Sequence, residues 1–187
     1  MTTANKITIL RMILVPVFMA FLLVDSVACR NVALVVFILA AVSDAVDGYI
    51  ARHYNQISTF GKFMDPLADK MLTTAAFVVF LAYGRMSPWA LMIILFREFM
   101  VSGIRLLAVS EGKVIAASML GKIKTVSQMV AIIAAIILMQ PIFPPVAAKM
   151  TTHTLIWIST VFTIISGLDY LIKNRHIFSA KQQVEEE

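Results

Sequence analysis

Apolar residues fall in long runs separated by short polar breaks. Two charge-free runs are long, Thr125–Ala148 and Met150–Leu168. Four are shorter: Met12–Val24, Asn31–Ser43, Met71–Gly84 and Met86–Phe96. A helix needs ~20 residues to cross hydrocarbon, so each shorter run becomes a full span only by taking in charged neighbours. The pattern predicts six helical spans, roughly 6–24, 31–52, 64–83, 87–109, 120–141 and 151–172. Strands are a poor alternative, because the segments lack period-2 alternation and are too long for barrel strands. Chain breakers sit between the spans: Gly84 and Pro88, then Gly112, then Pro141, Pro144 and Pro145.

Composition narrows the class. Of 187 residues, 60% are hydrophobic and 14% charged, and the mean hydropathy is +0.87. An average soluble domain is roughly 45–50% apolar and about 25% charged, so a water-soluble or disordered chain is excluded. Six spans leave little for an extramembrane unit, so residues 1–187 are expected to form one multi-pass domain of the cell membrane. The single Cys excludes a disulfide framework. The net charge of +5 is dispersed with no basic stripe, which argues against a nucleic-acid partner.

Orientation follows from counting cations by side. With the N-terminus inside, the inner segments hold 11 Lys and Arg, from Lys6 and Arg11 to Arg175 and Lys181. The outer loops hold 3, Arg30, Arg85 and Lys149, and Arg97 and Arg105 lie within span four. The positive-inside rule then places both termini in the cytoplasm. Tyr83, Trp89 and Trp157 fall near outer ends, as interfacial anchors do. Residues 1–29 imitate a signal peptide ending at Cys29, but the residue three before it is Ser, not aliphatic, and five more spans follow. Cys29 is expected to be inert and near the outer surface.

The charges inside the spans are not scattered. Asp44, Asp47 and Arg52 lie at the inner end of span two, and Asp65, Asp69 and Lys70 begin span three. Arg97, Glu98 and Arg105 lie in the inner half of span four, and Lys122 and Lys124 open span five. Charge at membrane depth is expensive and marks a polar cavity or site. The sequence therefore predicts one polar pocket, open to the cytoplasm.

Within it, Asp44 and Asp47 are three apart and Asp65 and Asp69 four apart, so each pair shares a helix face. Four convergent carboxylates cannot all stay ionised without cations or raised pKa values. Their hard oxygens suit Mg²⁺ or Mn²⁺, as a pair, and no Cys/His grouping suggests zinc. Gly48 and Gly61 lie beside the carboxylates, and glycine inside a helix costs roughly 1 kcal/mol relative to Ala. It is tolerated where a ligand approaches the backbone, here a base or a diphosphate. Arg52 lies one turn beyond Gly48, placed to meet a phosphate. The bland alternative, ordinary interhelical pairing, suits one such residue better than the whole set.

The stretch resembles the signature of the CDP-alcohol phosphatidyltransferase family, D-x2-D-G-x2-A-R-x8-G-x3-D-x3-D. Asp44, Asp47, Gly48, Ala51, Arg52, Gly61, Asp65 and Asp69 match at all eight fixed positions in 26 residues. Other segments look like the branch of that family whose acceptor is glycerol 3-phosphate: Asn5-x-x-Thr8-x-x-Arg11, Arg97-Glu98, Gly103-Ile104-Arg105 and Gly121-Lys122-Ile123-Lys124-Thr125. The resemblance implies an all-α integral membrane enzyme that forms a homodimer. It implies transfer of the phosphatidyl group of CDP-diacylglycerol to sn-glycerol 3-phosphate, with release of CMP. By the same analogy Asp44, Asp47, Asp65 and Asp69 hold two divalent ions on the diphosphate, and Asp69 also takes the acceptor's proton. Asn5, Thr8, Gly48, Arg52, Ser58 and Gly61 match or neighbour positions that hold the CDP moiety.

No Ser with an adjacent His offers a nucleophile, so direct displacement is expected. A glycerol 3-phosphate dianion needs two or three cations without carboxylate partners, and Arg97, Arg105, Lys122 and Lys124 are the candidates. Two rivals stand beside this reading. One is a family enzyme with another acceptor: inositol phosphate, serine or phosphatidylglycerol. The other is a divalent-cation transporter, which predicts ionisable groups on both halves of the membrane. No internal repeat of the kind seen in inverted-repeat transporters is evident.

Overall fold

The computed structural model describes residues 3–53, 59–110 and 118–175. These residues form helices joined by turns: α1 (Thr3–Leu23), α2 (Val27–His53), α3 (Thr59–Ala82), α4 (Pro88–Ser110), α5 (Met119–Leu138) and α6 (Pro145–Lys173). The all-helical expectation holds throughout the described residues, and the helices overlie the six apolar segments. Two starts differ. α6 begins at Pro145 rather than near 151, because Pro145 occupies the first helical turn, where its missing N–H costs nothing. α3 begins at Thr59 rather than near 64.

Local chemistry sets several ends. Ser118 caps α5, its Oγ accepting from the Gly121 N–H at 3.1 Å. α3 stops at Gly84, whose φ of 62° suits a residue without Cβ. The Gly84 N–H then donates to Leu81 O at 2.9 Å and the Arg85 N–H to Phe80 O at 2.8 Å, satisfying the final carbonyls.

α3 is the axial helix and packs on α1, α2, α4 and α5, while α6 covers α4 and α5. The interior has two halves. At the end carrying the α1–α2, α3–α4 and α5–α6 connections it is apolar: Phe18 and Leu22 of α1, Phe37 of α2, Phe77 and Phe80 of α3, Ile132 and Ile136 of α5. The Phe18 and Phe37 ring centroids lie 5.6 Å apart. Two hydrogen bonds mark this end. Tyr83 Oη donates to Leu23 O at 2.9 Å, and Gln140 Nε2 donates to Asn31 Oδ1 at 2.8 Å. Towards the other end the buried residues turn polar: Thr8, Arg11, Arg97, Lys124, Gln128, Thr163 and Ser166.

Among the described residues every helix exposes large apolar side chains. Leu10, Leu39, Met92, Phe96, Phe99, Val126, Val130, Leu168 and Ile172 are all exposed. Contiguous apolar surface of this extent is not stable against water, and it suits hydrocarbon: the chain is a membrane protein. α5 and α6 are long and apolar enough to cross a bilayer by length and composition. Within the described side chains, α1, α2 and α3 contribute the apolar stretches Thr8–Leu23, Val27–Ser43 and Lys70–Ala82.

Candidate active site

The eight-position motif spans α2 and α3. Asp44, Asp47, Gly48 and Arg52 belong to the last third of α2, and Gly61, Asp65 and Asp69 to the first half of α3. These two helices pack on each other, so the sequence and the fold bring both carboxylate pairs to one end of the bundle. Their side chains, and that of Asn5 at the start of α1, lie outside the described residues, as does Ser58 altogether. The donor set still supports a test for metal. Four carboxylates at helical spacing on two contacting helices supply hard oxygens, which fit Mg²⁺ or Mn²⁺. Among the described residues no other group of three His, Cys, Asp or Glu could hold an ion.

The described part of the site is an ion cluster next to the motif. It begins at Lys70, which follows Asp69 on α3. Lys70 Nζ donates to Ser102 Oγ of α4 and to the Glu98 carbonyl at 3.3 Å. Ser102 Oγ donates to the same carbonyl at 2.7 Å. The Glu98 carboxylate pairs with Arg97 Nη1 at 3.2 Å and with Lys124 Nζ of α5. Arg97 Nη2 donates to Ser166 Oγ of α6 at 2.6 Å. One residue, Glu98, thus ties α4 to α5 and, through its backbone, to α3.

Two glycines lie along the Arg97 side chain, and Gly167 makes room for its stem. A Cβ on Gly167 would lie 3.0 Å from Arg97 Cγ, and one on Gly121 would lie 3.8 Å from Arg97 Nη2 and 3.9 Å from Ser166 Oγ. Small residues let α4, α5 and α6 approach closely around Arg97. Behind this layer Gln128 Nε2 donates to Thr163 Oγ1 at 3.2 Å.

The four candidate acceptor cations divide. Arg97 and Lys124 are buried, 8% and 5% exposed, and converge on Glu98. The expectation that the cations lack a carboxylate partner is corrected for these two: an unpaired charge at this depth would be too costly. Lys122 is exposed. Two residues along a helix turn the side chain by about 200°, so Lys122 and Lys124 cannot face the same neighbour. Arg105 is also exposed, and its Cζ lies 5.7 Å from the centroid of the Tyr170 ring of α6. It stands eight residues beyond Arg97, roughly 12 Å along the helix. Thr8 and Arg11 of α1 are buried at 0% and 1% exposure.

In the sequence Glu98 lies at membrane depth on one face with Arg105, seven residues on, and nothing marks Lys124 as its partner or Ser166 as part of the site. Arg97 and Ser166 are 69 residues apart and Glu98 and Lys124 lie on different helices, so no local spacing could pair them.

The comparisons with known proteins bear on the whole chain. The family model for CDP-alcohol phosphatidyltransferase matches residues 1–165. A Bacillus subtilis protein named CDP-diacylglycerol–glycerol-3-phosphate 3-phosphatidyltransferase is 39% identical over 182 residues, covering 91% of this chain and 93% of that one. A Rickettsia typhi protein of the same name is 33% identical over 166 residues, covering 89% and 93%. A Mycobacterium tuberculosis protein named probable phosphatidylglycerophosphate synthase is 36% identical over 174 residues, covering 91% and 80%. With its motif on two contacting helices and its likeness to these relatives almost end to end, the chain belongs to the CDP-alcohol phosphatidyltransferase family.

Proposed function

We infer that the chain transfers the phosphatidyl group of CDP-diacylglycerol to sn-glycerol 3-phosphate, giving phosphatidylglycerophosphate and CMP. The observation that carries this reading is likeness over about nine-tenths of the chain to relatives named for that reaction. The chemistry balances as a direct displacement. The acceptor hydroxyl oxygen bonds to the phosphatidyl phosphorus, the bond from that phosphorus to the CMP oxygen breaks, and the hydroxyl proton passes to the Asp69 carboxylate.

The residues take the following parts. Asp44, Asp47, Asp65 and Asp69 would hold Mg²⁺ or Mn²⁺, two ions in this reading. When bound, such ions neutralise diphosphate charge and favour departure of CMP. Asn5, Thr8, Gly48, Arg52, Ser58 and Gly61 bind the CDP moiety. Arg97 and Lys124 anchor the acceptor phosphate with the positive charge left over where they and Lys70 share the single Glu98 carboxylate, and Arg105 and Lys122 contribute positive potential from its margins. The buried Arg97 Nε, which has no hydrogen-bond partner among the described residues, supports a binding rather than a purely structural use of that side chain. The reading extends to topology: residues 1–187 as one domain, six transmembrane helices, both termini and the active site facing the cytoplasm, and a homodimer by analogy with the family.

Purified protein with CDP-diacylglycerol and glycerol 3-phosphate should release CMP. EDTA should abolish that release, and Mg²⁺ or Mn²⁺ should restore it. Full activity in chelator would remove the two-ion account, and a preference for inositol phosphate, serine or phosphatidylglycerol would remove the acceptor assignment.

A further inference from the structure

The three cations of the outer loops, Arg30, Arg85 and Lys149, gather at the end of the bundle remote from the motif. Arg30 is the fourth residue of α2 and Lys149 the fifth of α6. The start of a helix carries positive partial charge, which disfavours a cation there. Nevertheless the fold draws these positions together. Gln140 Nε2 donates to Asn31 Oδ1 at 2.8 Å, tying the α5–α6 connection to the start of α2. Lys149 Nζ lies 3.5 Å from where a Cβ on Gly84 would be, beside Arg85. Burial, and then the charge of Arg30, hold the Arg85 guanidinium below its ordinary pKa.

Little in the described residues answers this charge. Asp25 pairs with Arg30 at 3.1 Å, but the Asp25 side chain is 85% exposed. Arg85 and Lys149 make no ion pair among the described residues. Arg30 Nε and Arg85 Nη1 are buried without a hydrogen-bond partner. Buried donors left open are costly, and two guanidiniums held near each other add repulsion. An anion with several acceptor oxygens would relieve both.

We propose that Arg30, Arg85 and Lys149 form a binding site for the phosphate of an anionic phospholipid in the leaflet opposite the active site. Guanidinium forks match phosphate oxygens in geometry and charge. Trp89, 75% exposed at the start of α4, and the exposed Ile142 of the α5–α6 connection and Val146 at the start of α6 favour a lipid over a free ion. Aromatic side chains concentrate at the headgroup boundary of a bilayer. The site uses the membrane topology proposed above and is independent of the reaction.

The test follows thermal unfolding of the protein in neutral detergent while phosphatidylglycerol, phosphatidylcholine or inorganic phosphate is added. Phosphatidylglycerol should raise the midpoint saturably, and phosphatidylcholine should not. Inorganic phosphate at the same concentration should have no effect; an equal effect would overturn the lipid assignment. Arg30→Gln with Arg85→Gln should weaken the apparent affinity for phosphatidylglycerol by roughly tenfold or more, the scale of a lost charge-assisted hydrogen bond. Lys149→Gln, at an exposed position, should weaken it as well and decides the matter should the double variant not fold. An unchanged response in these variants would overturn the site. A reversed topology would be separately visible as labelling of Cys29 from the cytoplasmic side.

Discussion

Asp69→Asn keeps the shape of the side chain while removing a base and one anionic ligand. Turnover should fall by at least ~10²-fold, within the range of general-base effects, and binding of CDP-diacylglycerol should survive in part. CMP release and substrate binding, measured separately, check this; near-normal turnover would put the base elsewhere. The acceptor cations can be ranked in the same way. Arg97→Gln and Lys124→Gln each remove a buried partner of Glu98 and should lower catalytic efficiency for glycerol 3-phosphate by roughly 10- to 100-fold. Lys122→Gln, at an exposed position, should lower it by less than about fivefold. Initial rates against acceptor concentration give the order, and an equal loss at all three positions would contradict the division.

At the scale of the helix, Gly167 couples packing to chemistry. In Gly167→Ala the new methyl carbon meets Arg97 Cγ at 3.0 Å and Met100 Cε at 3.6 Å, so the arginine stem must shift. Overpacking of this kind costs about 1–3 kcal/mol. The Michaelis constant for glycerol 3-phosphate should rise while that for CDP-diacylglycerol changes little; unchanged constants for both would separate Gly167 from the acceptor site. Such interhelical contacts mark the limit of what could be read in the sequence. The helices were legible because each apolar run, though often much shorter than its helix, could be extended over a few charged neighbours to the length of a span. The start of α6 was not, because Lys149 interrupts the apolar run and the first turn set by Pro145 lies beyond it. The carboxylate motif was legible from its spacing, since i, i+3 and i, i+4 positions share a face wherever the helix is placed. The meeting of Glu98 with Lys124, and of Arg97 with Ser166, depends on which helices become neighbours, and periodicity within one helix carries no such information.

Across the whole molecule, the division into an apolar and a polar half gives the bundle a direction. Cys29, partly exposed near the start of α2, is the chain's lone cysteine and reports that direction without any engineering. In intact cells a membrane-impermeant maleimide should label it from outside. Labelling confined to inverted vesicles would reverse the topology and move the motif to the other face.

The pairing of charged residues between helices also bears on how the protein is made. A charged residue at the centre of a span costs about 2.5–3.5 kcal/mol during insertion. Arg97 and Glu98 lie within α4, and the helices that supply their partners, α5 and α6, follow it in the chain. Glu98 gains Lys124, and Arg97 gains Ser166, only after α5 and then α6 have emerged. Until then the earlier helices must be sheltered by the insertion machinery, and a chain cut short before α6 should be recognised by quality-control proteases and not accumulate as a half-built bundle.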